Sequence, residues 1–349
     1  IKTNIIFIFI DMKILRWILY PLALLYGFVV AIRNSLFNMG ILKTQVISMP
    51  SIGVGNLSSG GTGKSVVIDY LIVFLKEKYH VAVLSRGYKR KTSGVVVGNE
   101  NSSVSMIGDE PLQFLKKHQS VTVVVAKKRI LGIQKIKEIT PSNTFVLLDD
   151  VMQHRYVKPS ILILTTTFSA PYFSDQLLPT GNLRESQSGA KRANIILVTK
   201  CPDIISKEEE ESFKKQFTLS KNQFLFLTKI SYSSFVFNGE KRQLLSELTP
   251  PFLLITGIAD PSPLVEFLNK KGVKYSHLEY PDHHAFTKRN IKEIYKKKGQ
   301  GIVFTTEKDF NRLKPLMEGS ELYYLPIKMT FIHPKQQTLF EALILNQAL

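Results

Sequence analysis

The chain has 349 residues, 44% hydrophobic and 21% charged, which excludes a disordered polymer and leaves enough apolar matter for one large or two modest domains. Its one cysteine, Cys201, excludes an internal disulfide and a cysteine-built metal cage, so a reducing compartment fits best. With 46 Lys and Arg against 28 Asp and Glu, the formal charge of +18 implies an anionic partner: nucleotide, nucleic acid or the surface of an anionic bilayer.

The first ten residues are an apolar run interrupted by Lys2, Thr3 and Asn4, and Met12 reads as a start residue, which would leave positions 1–11 outside the native chain. Trp17 to Ile32 is uncharged and as a helix would reach about 24 Å. That falls short of roughly 30 Å of hydrocarbon, and Pro21 and Gly27 weaken it further. Lys13 and Arg16 precede the segment and Arg33 follows it, so neither end is marked for translocation. Residues 12–33 are expected to form a helix lying in a membrane interface, with Trp17, Tyr20, Tyr26 and Phe28 at headgroup level. A buried core helix is the competing assignment; no small-residue cleavage site follows to make it a secretory signal.

Continuous apolar runs then recur between amphipathic stretches: Gln45–Val54, Val81–Leu84, Val121–Ala126, Phe145–Leu148, Ile161–Thr165, Ile195–Val198 and Phe224–Leu227. Such runs suit strands covered on both faces, and the intervening helical spacing suits βαβ crossovers. The expected fold is α/β, a doubly wound, mostly parallel sheet over 34–228. Beyond Thr228, residues 229–240 and 322–331 read as two connecting strands. They bracket a smaller α/β unit at 241–321, with strands at Phe252–Thr256, Tyr275–Tyr280 and Gly301–Thr305, and residues 332–349 form a last helix. A two-stranded link would let one unit close on the other over a ligand.

The strongest chemical signal is Gly60-Gly61-Thr62-Gly63-Lys64-Ser65, between a strand and a helix. Glycines let backbone N–H groups converge on phosphate oxygens, Lys64 reaches the outer phosphates, and the Ser65 hydroxyl can ligate Mg²⁺. The full phosphate-loop pattern would have glycine at 58, where Ser58 stands. Asp149 and Asp150 end the run Phe145–Leu148 and are the candidate Mg²⁺ partners, Asp149 first; acidic strand ends also serve as caps for the next turn.

These residues resemble the tetraacyldisaccharide 4′-kinases, from about Met12 to Leu313. The likeness rests on ordered motifs: Val54-Gly55-Asn56 leading into the glycine loop, Leu84-Ser85-Arg86-Gly87-Tyr88, Gly108-Asp109-Glu110-Pro111, Asp149-Asp150-Val151-Met152-Gln153-His154, Leu177 to Glu185, Asp282-His283 and Thr306-Glu307-Lys308-Asp309. The family also lacks glycine at the position of Ser58. Two departures stand out: the family usually has Gly-Phe where Val151 and Met152 stand, and commonly Pro where Ser186 stands. The first puts a β-branched residue at a position otherwise free to take positive φ, so a reshaped turn before Gln153 and His154 is expected.

The resemblance implies a P-loop kinase using ATP and Mg²⁺ to phosphorylate the 4′-hydroxyl of an acylated glucosamine disaccharide 1-phosphate, peripheral on the cytoplasmic face of an inner membrane, and a monomer. By family position Asp109 accepts the hydroxyl proton, supported by His283, with Lys64 on the transferred phosphate. His284 is adjacent to His283, and Asp109 could instead cap the helix beginning at Pro111. Ser65, Asp149, Asp150 and Glu185 would serve the metal, and Arg129, Gln153, His154 and Arg184 the lipid head group. Lys127 and Lys128 would add electrostatic attraction. Two alternatives remain open: a membrane-associated ATPase of the partition or metallochaperone type, against which Ser59 replaces that class's signature lysine, and a nonenzymatic lipid- or nucleic-acid-binding protein. No nucleic-acid-binding module is recognisable, and no nucleic-acid partner is expected.

Overall fold

The structure, a computed structural model, describes residues 2–317 and 322–348, with side chains from Ile18 onward. Expectations resting on the side chains of residues 1–11, Met12, Lys13, Arg16 and Trp17 lie outside the described residues. In chain order the described helices are α1 (Lys2–Asn38), α2 (Lys64–Leu75), α3 (Val104–Ile107), α4 (Asp109–Lys117), α5 (Arg129–Ile139), α6 (Lys207–Lys215), α7 (Ser262–Lys270), α8 (Lys288–Lys298), α9 (Glu307–Leu313) and α10 (Pro334–Ala348). The strands are β1 (Gln45–Val46), β2 (Ser51–Gly55), β3 (His80–Ser85), β4 (Val95–Val97), β5 (Thr122–Ala126), β6 (Thr144–Asp149), β7 (Val157–Lys158), β8 (Ile161–Thr167) and β9 (Ile195–Thr199). They continue with β10 (Phe224–Tyr232), β11 (Phe235–Phe237), β12 (Arg242–Leu244), β13 (Phe252–Thr256), β14 (Tyr275–Glu279), β15 (Ile302–Thr305), β16 (Leu322–Tyr324) and β17 (Ile327–Phe331).

The larger sheet has the order β17-β10-β9-β8-β2-β6-β3-β5-β4, parallel from β10 to β5 and antiparallel at both edges. Alternate residues of its apolar runs go to opposite faces, as strand geometry requires. Phe145 and Leu147 pack with Ile68, Leu71 and Phe340 under α2 and α10, whereas Val146 and Leu148 pack with Ile133 and Ile136 of α5. With both faces covered, β2, β6 and β9 are buried along their whole length. The chain leaves β2 at the sheet's centre and returns at β3, beyond β6, so the glycine loop opens into the crevice at the strand ends.

The second sheet, β12-β11-β16-β15-β13-β14, is parallel from β16 to β14. The two connecting stretches pair with each other: Thr228 to Tyr232 lies antiparallel to Phe331 to Ile327, and Phe237 meets Tyr324. The run expected as one strand over Gln45–Val54 is two, separated at Pro50, which has no N–H for a ladder. The strand at Phe224 runs past Thr228 to Tyr232, so one strand serves both the larger sheet and the connecting ribbon. The N-terminal helix is also longer than the expected 12–33 segment and continues through Pro21 to Asn38. Ile18–Asn38 is long and apolar enough to cross a membrane by length and composition, and only 6% of its most apolar window is buried.

Candidate active site

The glycine loop is shaped by its own side chains. Gly63, the residue before α2, takes φ +80° and Gly60 φ +149°, conformations that would strain any L side chain. Asn56 Nδ2 donates to the carbonyls of Ser58 (2.8 Å) and Gly60 (3.2 Å), and its Oδ1 accepts from Lys64 Nζ at 3.1 Å. Thr199 at the end of β9 donates to the Thr62 carbonyl at 2.9 Å, pinning the loop from the other side.

The two aspartates that end β6 point to different neighbours. Asp150, in the left-handed region at φ +48°, accepts both arms of the Arg184 guanidinium (3.0 and 2.9 Å) and lies 3.4 Å from Lys64 Nζ. Burial pushes its pKa up, but Arg184 and Lys64 hold the carboxyl well below the usual carboxylate range. Asp149 is 2% exposed; Oδ2 accepts from Ser85 at 3.0 Å and Oδ1 has no hydrogen-bond partner. Burial, then the nearby Glu110 and Asp150, raise its pKa. A buried carboxylate with one unpartnered oxygen and other carboxylates beside it has the donor chemistry that a cation would satisfy.

The turn after Asp150 differs from expectation. Asp150 itself supplies the positive φ, so Val151 need not, and its N–H donates to Val54 at 3.1 Å. Val151 and Met152 are buried against β2, where Gly53 and Gly55 leave room: a Cβ at either glycine would come within 2.6 Å of them. Gln153 is held by the Asn56 carbonyl (3.0 Å) and Glu185 (2.9 Å).

Across the crevice, α4 starts at Asp109. Its carboxylate does not cap the helix; it accepts from Arg312 Nε (3.0 Å) and Nη2 (2.6 Å) and meets His283 Nδ1 at 2.9 Å. Burial opposes ionisation, but His283 and then Arg312 hold Asp109 well below the usual carboxylate range. His283 is the histidine that reaches Asp109, because His284 stacks on Tyr280 and meets Asn290 at 3.2 Å. Next to Asp109, Glu110 accepts from Ser65 Oγ at 2.6 Å and from Lys308 Nζ at 2.9 Å. Against burial, Lys308 and the Ser65 hydroxyl keep Glu110 ionised. Ser65 follows Lys64 and Glu110 follows Asp109, so this one hydrogen bond sets the phosphate loop beside the aspartate–histidine pair.

The remaining expected site residues sit on the far side of Asp150. Arg129, 3% exposed, spends its guanidinium on the carbonyls of Ala126 (2.7 Å) and Asp149 (3.0 Å), tying two strand ends together, and its Nε is without a partner. Arg184 is likewise committed to Asp150 and Asn56, so neither guanidinium is free as expected for a phosphate clamp. Glu185, expected near the metal, instead accepts from Arg192 (2.8 Å), Asn34 (3.1 Å) and Gln153. His154 has its pKa lowered to about 4 by burial and then by Arg129, with Arg86 and Arg33 adding to the effect; it is neutral amid guanidinium charge. The C-terminal half of α1 closes this side: Tyr26 donates to the Arg184 carbonyl (2.7 Å), Arg33 to the Gln153 carbonyl (2.7 Å), and Phe37 meets Tyr156 edge-on at 5.0 Å.

Residues not singled out from sequence complete the arrangement. Asn56, Glu110 and Lys308 lay inside quoted motifs without a role; Arg312 and Asn34 carried no local signal, since each acts across more than 100 residues of chain, and Arg192, seven residues beyond Glu185, lies outside every quoted motif. Among the described residues, no cluster of three or more His, Cys, Asp or Glu is gathered into a protein-only metal cage. A Mg²⁺ shared with phosphate oxygens needs none.

The sequence model of the family described as tetraacyldisaccharide-1-P 4′-kinase matches residues 15–347. A protein of Flavobacterium johnsoniae named tetraacyldisaccharide 4′-kinase is 45% identical over 326 residues, covering 93% of this chain and 95% of its own. One of the same name from Phocaeicola vulgatus is 40% identical, covering 93% of both. Among solved structures, LpxK of Aquifex aeolicus in complex with ATP superimposes with a TM-score of 0.77 at 28% identity, covering 96% of this chain and all of that one.

Proposed function

This chain belongs to the tetraacyldisaccharide 4′-kinase family and transfers the ATP γ-phosphoryl group to the 4′-hydroxyl of the lipid A precursor; on that premise we propose how its residues divide the work. The partition-type ATPase and the nonenzymatic binder are not favoured.

ATP would lie along the glycine loop, its phosphates on the N-terminus of α2 with Lys64 at the outer phosphates, as the Aquifex aeolicus protein's complex with ATP supports. Ser65 and Asp149, whose Oδ1 has no partner, fit a Mg²⁺, with Glu110 beside Ser65; Asp150 and Glu185, expected in that set, are bonded to Arg184 and to Arg192. When bound, Mg²⁺ supplies positive charge to the phosphate oxygens. Asp150 then orients Lys64 rather than metal, and Arg129 fixes the Asp149 backbone from behind.

A sugar hydroxyl is a poor nucleophile at neutral pH and must lose its proton as the phosphoryl group arrives. The Asp109–His283 pair takes it. Arg312 makes Asp109 a weak base alone, so the imidazole shares the proton while the carboxylate orients the ring. The acceptor's anionic head group fits near Gln153 and His154, where Arg33, Arg86 and Arg129 make the field positive.

The helix α1 serves as a peripheral anchor at the cytoplasmic face of the inner membrane. Ile18, Leu22, Leu25, Phe28, Val29 and Ile32 are exposed along it, while Tyr26, Arg33, Asn34 and Phe37 are fastened to the site. One face committed to polar bonds with the body favours lying along the bilayer over crossing it.

The observation that carries this reading is the Ser65–Glu110 hydrogen bond, which joins the phosphate loop to the segment bearing Asp109. It is tested with Asp109→Asn, His283→Gln and their double variant, assayed with ATP, Mg²⁺ and detergent-dispersed tetraacyldisaccharide 1-phosphate. Each single change lowers kcat by about 10²-fold or more and the double is no worse than the worse single, as for a unit. A loss below about fivefold for Asp109→Asn removes it from the proton-accepting role.

A further inference from the structure

Helices α4 and α9 pack antiparallel, joined by ion pairs that run in order along both. Asp109 at the start of α4 meets Arg312 near the end of α9, Glu110 meets Lys308, and Lys117 at the end of α4 meets Glu307 at the start of α9 (3.2 Å). Helix α2 forms the third side. Ser65 and Asp69, four residues apart and so on one face, touch Glu110 and Lys117 respectively. The seam therefore has two levels: an upper one at the phosphate loop and the proton-accepting pair, and a lower one built from Asp69, Lys117, His118 and Glu307.

The lower level is a buried polar cluster away from the reacting groups. Lys117 Nζ lies 3.0 Å from Asp69 and 3.2 Å from Glu307, and His118 Nε2 meets Asp69 at 2.8 Å. The side chain of Glu307 is 6% exposed and that of His118 4%. Buried ion pairs contribute little net stability compared with apolar packing; their better-attested use is fixing register. Here Lys117 is a single cation shared by carboxylates from α2 and α9, elements anchored to different sheets. Helix α9 spans only Glu307–Leu313, about 10 Å, so a shift at its first residue reaches Arg312. Arg312 grips Asp109 and also the Gly257 carbonyl (3.3 Å), which accepts the His283 backbone N–H at 3.1 Å. The register of α9 on α4 thus sets both members of the proton-accepting pair.

We propose that Lys117 and Glu307, braced by Asp69, are positioning residues for phosphoryl transfer: their ion pair fixes α9 on α4 so that Arg312, Asp109 and His283 meet at the phosphate loop. This rests on the assignment of Asp109 as proton acceptor above. Misplacing reacting groups by about 1 Å can cost up to 10²-fold in rate, whereas ATP binding on the glycine loop uses the upper level and not the Lys117–Glu307 pair.

The test uses the full chain with Glu307→Gln, Lys117→Met and Lys117→Arg, each alone and Glu307→Gln also in an Asp109→Asn background. The near-isosteric Glu307→Gln keeps the test available if Lys117→Met does not fold. Expected are a drop in kcat of about tenfold for Glu307→Gln and Lys117→Met, a KM for ATP within about twofold of the parent, and kcat within about threefold for Lys117→Arg. In the Asp109→Asn background, Glu307→Gln changes the residual rate by less than about twofold, because the group it positions is gone. Unchanged kcat in the folded single variants, or the full tenfold loss recurring in the Asp109→Asn background, overturns the positioning role. Wild-type turnover in Asp109→Asn alone overturns the proton-acceptor assignment and this proposal with it.

Discussion

Replacing Asp149 by Asn should make the protein more stable and nearly inactive. The carboxylate is 2% exposed, accepts one hydrogen bond from Ser85 and leaves Oδ1 without a partner. A buried unsatisfied polar atom costs about 1–3 kcal/mol, and the charge adds repulsion from Glu110 and Asp150. A neutral amide keeps the shape and the Ser85 contact and relieves that repulsion, so a gain of about 1 kcal/mol is expected in the ligand-free protein. Because the folded-state pKa of Asp149 is raised, its penalty is absent below the unfolded value near 4 and grows as pH rises toward the folded value. The stabilisation by Asn should therefore vanish near pH 4 and be full at pH 8. Thermal unfolding across that range reads it, and kcat in the lipid assay should fall by about 10²-fold or more. A variant less stable than the parent at pH 8, or one retaining a fifth of its turnover, refutes Asp149 as a carboxylate kept for a cation.

Deleting residues 12–32 should abolish flotation with anionic liposomes while leaving the KM for ATP within about threefold; unchanged flotation removes α1 as the anchor. The lowered pKa of His154, about 4 against 6.5, means the folded state resists protonation, so stability is lost as pH falls through that window, by at most about 3 kcal/mol. Urea unfolding of the parent and His154→Gln at pH 7 and pH 4.5 checks this; equal losses in both proteins contradict it.

Much of the architecture was legible because apolar runs such as Phe145–Leu148 and Ile195–Val198 have no other use than a doubly covered sheet. The glycine loop was legible because its chemistry is local: backbone N–H groups, a lysine and a hydroxyl within six residues. Strand limits were less so, since Pro50 splits one run and Thr228 interrupts none of the next. The roles of charged residues were least legible. Arg184 and Glu185 stand side by side in the chain, yet one pairs with Asp150 and the other with Arg192, a division set by the fold and not by the motif. Arg312 reaches Asp109, and Lys117 reaches Glu307, across about 200 residues of chain, and no spacing rule links them.

In the division of work proposed above, the glycine loop bearing Lys64 and the Asp109–His283 pair act on one lipid hydroxyl. Its most direct measurement is the mass and the phosphate position of the lipid recovered after incubating tetraacyldisaccharide 1-phosphate with ATP, Mg²⁺ and the full chain or its Lys64→Met variant. Expected is a product heavier by one phosphoryl group at the 4′-oxygen with the parent, and none with Lys64→Met. Unmodified lipid from folded, ATP-binding parent protein, or a phosphate at another oxygen, would contradict it.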